Sequence, residues 1–177
     1  MNVDPTINGG ISSVREDAEE QIEAFREVLQ KCCQKFNIAC DISVELVLSA
    51  QPAPLPNHNA TSDERYQNAP QGGLGKGHVP VTYTDGISGN SASAGRAGYR
   101  GTGDQANDAV ALLPGQRPQN LAHEIGHFAG YRAPEGQQAP NEPHHHSNNT
   151  NLMSRIAGAA AIEPDCIYCE DVDLLAE

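Results

Sequence analysis

Residues 121–130 have the sequence Leu-Ala-His-Glu-Ile-Gly-His-Phe-Ala-Gly, the most informative stretch of the chain. Its apolar residues predict a largely buried helix, and Pro118 just upstream suits the first turn of one. His123 and His127 are four residues apart, so on a helix both imidazoles project from the same side and can share a metal ion. Buried histidine and glutamate side chains need polar partners, and metal coordination would supply them.

Glu124 and a later histidine tract extend the pattern of a metal site. Glu124 lies about 100° further round the helix than His123, so its carboxylate can reach a water on the metal without being a ligand. Residues 144–146 are three consecutive histidines, and such a tract is a natural source of a third ligand. The sequence therefore predicts a metal site built on this helix.

The pattern H-E-x-x-H-x-x-G over residues 123–130, with Asn-Leu-Met-Ser at 151–154, resembles the metzincin clan of zinc metallopeptidases. In that clan the glycine lets the chain leave the helix sharply, and the methionine lies in a turn beneath the metal. The resemblance is confined to residues 121–154. It implies an α+β, zincin-like fold, with a long N-terminal helix, a twisted mixed sheet with an antiparallel edge strand, and an active-site helix.

The third zinc ligand is the point at which this sequence departs from the clan. A third histidine normally follows the glycine by three residues, where this chain has Ala133. Residues 131–143 contain three prolines and look like an insertion that displaces this ligand. The spacing in matrixin-like members, eight residues before the turn methionine Met153, points to His145. The other histidines of the tract, and a carboxylate as in the gluzincin clan, remain open as alternatives: His144, His146, Glu163 and Glu170.

The resemblance also implies a mechanism. Zn²⁺ held by His123, His127 and His145 would activate a water, and Glu124 would take its proton as general base and pass it to the departing amine. Arg155 or Tyr131 could stabilise the oxyanion, although an exposed arginine and a packed tyrosine are the favoured interpretation.

The expected function is that of a zinc-dependent endopeptidase acting on a protein or peptide substrate. The chain suits the catalytic domain of a secreted effector or toxin, and equally a stand-alone intracellular peptidase. Two other classes stay open. In a non-catalytic metal-binding protein, Glu124 would have no catalytic role. A protein-interaction module would bind its partner through the acidic first helix.

The rest of the sequence predicts the elements around the site within one domain over residues 1–177. Apolar residues from Val14 to Phe36 recur at steps of three or four and predict a long helix, with Ser13 and Glu16 as a capping box at its start. Alternating and β-branched runs predict strands. These predicted strands are residues 42–49, 79–84 and 109–113, with a short edge strand at 96–100.

Composition sets further limits. Formal net charge is −12, from 11 basic and 23 acidic residues, which argues against binding to nucleic acid or to anionic lipid. The sequence shows no segment long and apolar enough for membrane insertion and no secretion signal, and it leaves cellular location open. Residues 51–77 predict a long loop, and residues 163–177, with six acidic residues and no basic one, predict a solvated helix or tail.

The five cysteines do not by themselves predict a set of disulfide bonds. Their odd number excludes complete pairing within the chain. The favoured interpretation is that Cys32, Cys33 and Cys166 are small buried apolar groups, and that the others are free thiols or one disulfide. A zinc site using Cys166 and Cys169 is disfavoured, because adjacent Cys32 and Cys33 make a poor second half for it.

Overall fold

A computed structural model describes residues 1–5, 7–40, 44–50, 81–84, 95–97, 110–155 and 163–173. These residues form three helices: α1 (Gly10–Phe36), α2 (Asn120–Ala129) and α3 (Cys166–Asp173). They also form seven strands: β1 (Asn2–Val3), β2 (Ser49–Ala50), β3 (Val81–Tyr83), β4 (Gly95–Ala97), β5 (Val110–Leu112), β6 (Gln138–Ala139) and β7 (Glu142–His146). The predicted α+β class is confirmed. The predicted loop at 51–77 lies outside the described residues.

Helix α1 buries the apolar stripe that its sequence predicts. Val14, Ala18 and Val28 are fully buried in the core, whereas Phe36 at the end of the stripe is 38% exposed. The predicted capping box is wrong, because α1 begins three residues before Ser13. Gly9 is the N-cap, with a left-handed φ of 87° that glycine adopts without strain, and the Ser13 hydroxyl donates to the Gly10 carbonyl inside the first turn.

Five of the strands form a mixed sheet in the order β2-β1-β3-β5-β4. The first four of these are parallel to their neighbours, and β4 pairs antiparallel with β5 at the edge of the sheet. The predicted strands at 79–84 and 109–113 are confirmed in β3 and β5. The predicted edge strand is present as β4, which starts one residue earlier than predicted, and residues 98–100 lie outside the described residues.

The predicted strand at 42–49 is largely wrong. Only Ser49 in that range belongs to a strand, and residues 41–43 lie outside the described residues. Residues 44–48 alternate between partly buried and exposed, as the pattern predicted, but they join no sheet ladder. Two of their carbonyls are used elsewhere, because Val44 accepts from the Arg26 guanidinium and Val47 accepts from the amino group of Met1.

Two disulfides join the cysteines in pairs, which corrects the prediction that Cys32 and Cys33 are unpaired. Cys32 bonds to Cys169 and so ties α1 to α3, while Cys33 bonds to Cys40 just beyond the end of α1. Cys166 is the free cysteine, and it is exposed rather than buried. The pairing of Cys32 with Cys169 could not be predicted from the sequence, because the two residues are 137 positions apart. Disulfides persist in oxidising environments and are consistent with an extracellular location.

Helix α3 is not the fully solvated segment that its acidic sequence predicted. Its inner face buries Tyr168, Cys169 and Val172, while Glu170 on the outer face is exposed. Asp165 caps the helix, because its carboxylate accepts from the backbone N–H of Tyr168 at 2.8 Å. None of the helices in the described parts of the chain combines the length and apolar character that crossing a membrane requires.

The start of α2 is fixed by a side chain from α1. Gln21 is fully buried, and its Oε1 accepts from the backbone N–H of Leu121 at 2.7 Å. Its Nε2 donates to the carbonyl of Arg117 at 3.0 Å. One amide thus satisfies two backbone groups where the chain enters α2, which places the helix of the predicted metal site against α1.

Candidate metal centre

Three imidazoles converge at one point. The Nε2 atom of His127 lies 3.1 Å from Nε2 of His123 and 3.2 Å from Nε2 of His145. The ligand atoms of all three lie within 4.8 Å of one another, and this is the cluster of metal-binding side chains found among the described residues. His123 is buried, and the other two histidines are partly exposed.

Two segments bring these histidines together. His123 and His127 lie one turn apart on α2, which ends at Gly130 with a left-handed φ of 94°. The chain then turns back, and Tyr131 donates its backbone N–H to the carbonyl of Gly126. Glycine is suited to this position because a Cβ would be strained there. The predicted role of Gly130 in a sharp exit from the helix is confirmed.

The predicted insertion, residues 131–143, forms the approach to a β-hairpin and most of the hairpin itself. Strands β6 and β7 pair antiparallel, and the hairpin returns the chain so that His145 reaches the two histidines of α2. Ala133 occupies the position at which a third ligand was expected by resemblance, and it instead donates its N–H to the carbonyl of Pro143. The hairpin thus brings a histidine from further along the chain to the pair on α2.

An oxygen atom close to Nδ1 accompanies two of the imidazoles, as a hydrogen-bond acceptor for His123 and as an ion-pair contact for His145. His123 Nδ1 lies 2.9 Å from the carbonyl oxygen of Leu152, which can only accept, so Nδ1 carries the proton. His145 Nδ1 faces the carboxylate of Glu142 at 3.0 Å, a partner that also favours a proton on Nδ1. The Nε2 atoms of both neutral rings then carry lone pairs. The tautomers are inferred from these partners.

This arrangement favours an ion at the centre. A proton on Nε2 of His127 could be shared with one of the two facing lone pairs but not with both, whereas a cation would satisfy three nitrogens at once. Tetrahedral zinc with Zn–N bonds near 2.0–2.1 Å separates its ligand nitrogens by about 3.3 Å, close to the two spacings seen here. The donor set and these two spacings therefore fit a metal ion that imidazoles bind, with Zn²⁺ among the candidates.

Burial keeps these histidines in the neutral form that metal binding needs. It lowers the pKa of His123 to about 3 and the pKa of His127 well below its ordinary value. The pKa of His145 is also lowered by burial, and the neighbouring charge of Glu142 acts in the opposite direction. At neutral pH the three imidazoles are therefore uncharged, and protons do not compete with a metal ion for their nitrogens.

Met153 lies beneath the helix that carries the two histidines. A Cβ added at Gly126, between His123 and His127, would lie 2.5 Å from Met153 Sδ and 2.7 Å from the Tyr168 ring. Both side chains are fully buried, and only a glycine allows them to approach α2 so closely. The turn at 151–154 is further held by Asn151, whose side chain accepts from the N–H of Met153 at 2.8 Å.

No protein family model matches this sequence, and no curated protein shows significant similarity to it. The metal site is therefore inferred from its geometry.

The alternative third ligands lie in other environments. His146 is buried with Nε2 against Gln137 Oε1 at 2.9 Å, and its Nδ1 accepts from the N–H of Asn148. Glu163 is exposed and pairs with Lys31, and Glu170 is exposed on α3. His144 has ring contacts with His127 and His145 but does not join their cluster.

Glu124 and the two candidates for oxyanion stabilisation also have defined surroundings. Glu124 is 5% exposed. Burial lowers the pKa of Arg117, and the negative charge of Glu124 partly opposes that shift. Tyr131 is fully buried and donates to the carboxylate of Asp165, and Arg155 is exposed and paired with Glu142. The favoured interpretation of an exposed arginine and a packed tyrosine is confirmed.

The sequence did not predict two further contacts in the site. Glu142 contacts the His145 ring, and the Leu152 carbonyl orients His123. Glu142 is three residues before His145, a spacing that could have suggested a partner once the hairpin was known. The role of a backbone carbonyl leaves no signal in the sequence.

Proposed function

We propose that the protein is a zinc-dependent endopeptidase of metzincin-like, zincin-type fold. The observation that carries this proposal is the convergence of His123, His127 and His145 through their Nε2 atoms, with Glu124 next to His123 on the same helix. Structural zinc sites are closed by four protein ligands, whereas catalytic sites keep three and leave a position for water. The described residues offer three donors, and two of these rings are partly exposed.

The mechanism is built from the residues of the chain. His123, His127 and His145 would hold Zn²⁺, which would supply Lewis acidity and make a water more acidic, with a pKa of about 7. Glu124 accepts a proton from the attacking water and transfers it to the amine of the departing peptide. Its burial keeps bulk water from competing for that proton. The two disulfides support a secreted setting for this activity, as in an effector or toxin.

The test compares Glu124→Gln with the wild type in a digest of casein or of a mixed proteome. We expect Glu124→Gln to bind zinc with unchanged stoichiometry and to cleave at least about 100-fold more slowly, because it loses the general base and keeps the ligands. Glu135→Gln, at an exposed position in the following loop, serves as the matched control and should cleave like the wild type.

Chelation should abolish cleavage by the wild type, and added Zn²⁺ should restore it. Equal cleavage by the wild type and Glu124→Gln would exclude this mechanism. Zinc binding by both proteins with cleavage by neither would instead support the non-catalytic metal-binding function.

A further inference from the structure

The histidine delivered by the hairpin differs from the other two in how it is held. His123 and His127 lie on one helix, whose backbone fixes their separation. His145 lies on β7, which pairs only with the two-residue strand β6 in the described sheet. A two-stranded hairpin is marginally stable by itself, so its position near α2 depends on contacts made outside the hairpin.

Two such contacts reach the segment that follows the histidine tract, residues 151–155. The N–H of His146 donates to the carbonyl of Met153, which anchors the end of β7. Glu142 lies at the start of β7, and its Oε1 accepts a hydrogen bond from Arg155 Nη1 at 2.6 Å. Its other oxygen, Oε2, lies 3.0 Å from His145 Nδ1. The carboxylate of Glu142 therefore bridges the guanidinium of Arg155 and the imidazole of His145.

We propose that Glu142 and Arg155 are a positioning pair that orients His145 for zinc and strengthens it as a ligand. This inference rests on the proposed zinc site. A carboxylate on the far nitrogen of a ligand imidazole fixes the ring and raises its basicity. Arg155 fixes the carboxylate in turn, so that one of its oxygens is directed at His145.

The exposure of these side chains sets how much each contributes. The side chains of His145 and Glu142 are 14% and 26% exposed, so their contact is largely protected from water. The side chain of Arg155 is 60% exposed, where solvent and salt weaken an ion pair. Glu142 is therefore the stronger member of the pair, and Arg155 acts through it.

The test measures zinc affinity of the full chain, by competition with a chromophoric chelator after metal removal. We expect Glu142→Gln to lower the affinity by about 10- to 100-fold and Arg155→Gln to lower it less. The double variant should be no weaker than Glu142→Gln, because Arg155 is proposed to act through Glu142. The control is Glu163→Gln, which removes a carboxylate from the Lys31 ion pair at the surface and should bind zinc like the wild type.

Two further measurements separate positioning from a general effect on folding. The absorption spectrum of the Co²⁺-substituted protein should change in Glu142→Gln and not in Glu163→Gln, while the metal-free melting temperatures of both variants should be similar. Glu142→Asp, which keeps the charge on a shorter side chain, should lose less affinity than Glu142→Gln and serves if the latter does not fold.

The outcomes distinguish this inference from the proposed function. Wild-type affinity and an unchanged Co²⁺ spectrum in Glu142→Gln would overturn the positioning pair, even if the wild type proves to be a peptidase. A wild type that binds zinc without cleaving peptides, and loses affinity in Glu142→Gln, would support the pair while excluding the peptidase.

Discussion

The orientation of single rings decides what the histidine cluster can do. His123 and His145 both have an acceptor at Nδ1, so both present a lone pair at Nε2, and His127 Nε2 lies between them. His144 and His146 come from the same tract and share its chemistry, yet neither presents a nitrogen to that point. Which histidines belong to the cluster is therefore decided by the direction of their rings and not by the number of histidines in the tract.

Replacing single histidines of the tract tests this conclusion. His145→Ala should lower zinc affinity by more than about 100-fold, because it removes a ligand, whereas loss of a contact to a ligand costs about 10- to 100-fold. His144→Ala is the matched control, since this neighbouring ring is also partly buried and lies outside the cluster. It should bind zinc nearly as the wild type does. Chelator competition measures both, and equal losses in the two variants would contradict the assignment of His145.

At the level of elements, the sequence predicts what short-range geometry determines. The i, i+4 spacing places His123 and His127 on one face of α2, and Gly130 marks its end, because both features depend on a single turn of backbone. His145 required the resemblance, since spacing alone did not choose within the tract.

What the sequence could not supply are contacts between distant segments. Gln21 meets the start of α2 across 100 residues, and Arg155 meets Glu142 across 13. Residues 44–48 show the opposite failure, because their sequence has a period of two but they pair with no strand in the described parts of the chain. Local pattern predicts which face is buried, but pairing depends on the whole chain.

The contact between α1 and α2 gives a prediction at this scale. Gln21→Ala removes the acceptor of the Leu121 N–H and the donor to the Arg117 carbonyl at a fully buried position. We expect the free energy of unfolding to fall by about 1–3 kcal/mol, because a buried N–H is left without a partner. Chemical denaturation followed by circular dichroism measures this loss.

Gln30→Ala is the control for that measurement. It makes the same chemical change on the same helix at an exposed position, so any effect of helix propensity is shared. A similar loss of stability in both variants would mean that the buried amide contributes nothing specific to the placement of α2.

Across the whole molecule, two covalent links close loops of very different length. Cys32 and Cys169 are 137 residues apart, and their bond joins the long first helix to α3. Helix α3 supplies Tyr168, whose ring packs beneath Gly126 and whose hydroxyl donates to the carbonyl of Ala122 on α2. The bond between Cys33 and Cys40 closes only a short loop.

The difference in loop length predicts different effects on stability. In the chain-entropy account, a disulfide restricts the unfolded chain more as its loop grows. Replacing Cys32 and Cys169 by alanine should lower the free energy of unfolding by about 5 kcal/mol, and replacing Cys33 and Cys40 should lower it by about 2 kcal/mol. Denaturant titration measures both, and circular dichroism is a suitable probe because the chain contains no Trp.

The comparison needs two precautions, because both the free thiol and the metal could alter it. Cys166 is exposed and unpaired, so both double variants belong in a Cys166→Ser background that prevents thiol exchange. Both double variants should also be measured with a chelator present, because zinc that binds only the folded state would add to the free energy of unfolding. Equal losses in the two double variants would show that the long link does not restrain the unfolded chain. A larger loss for the 137-residue link would instead support the chain-entropy account, in which the longer loop restricts the unfolded chain more.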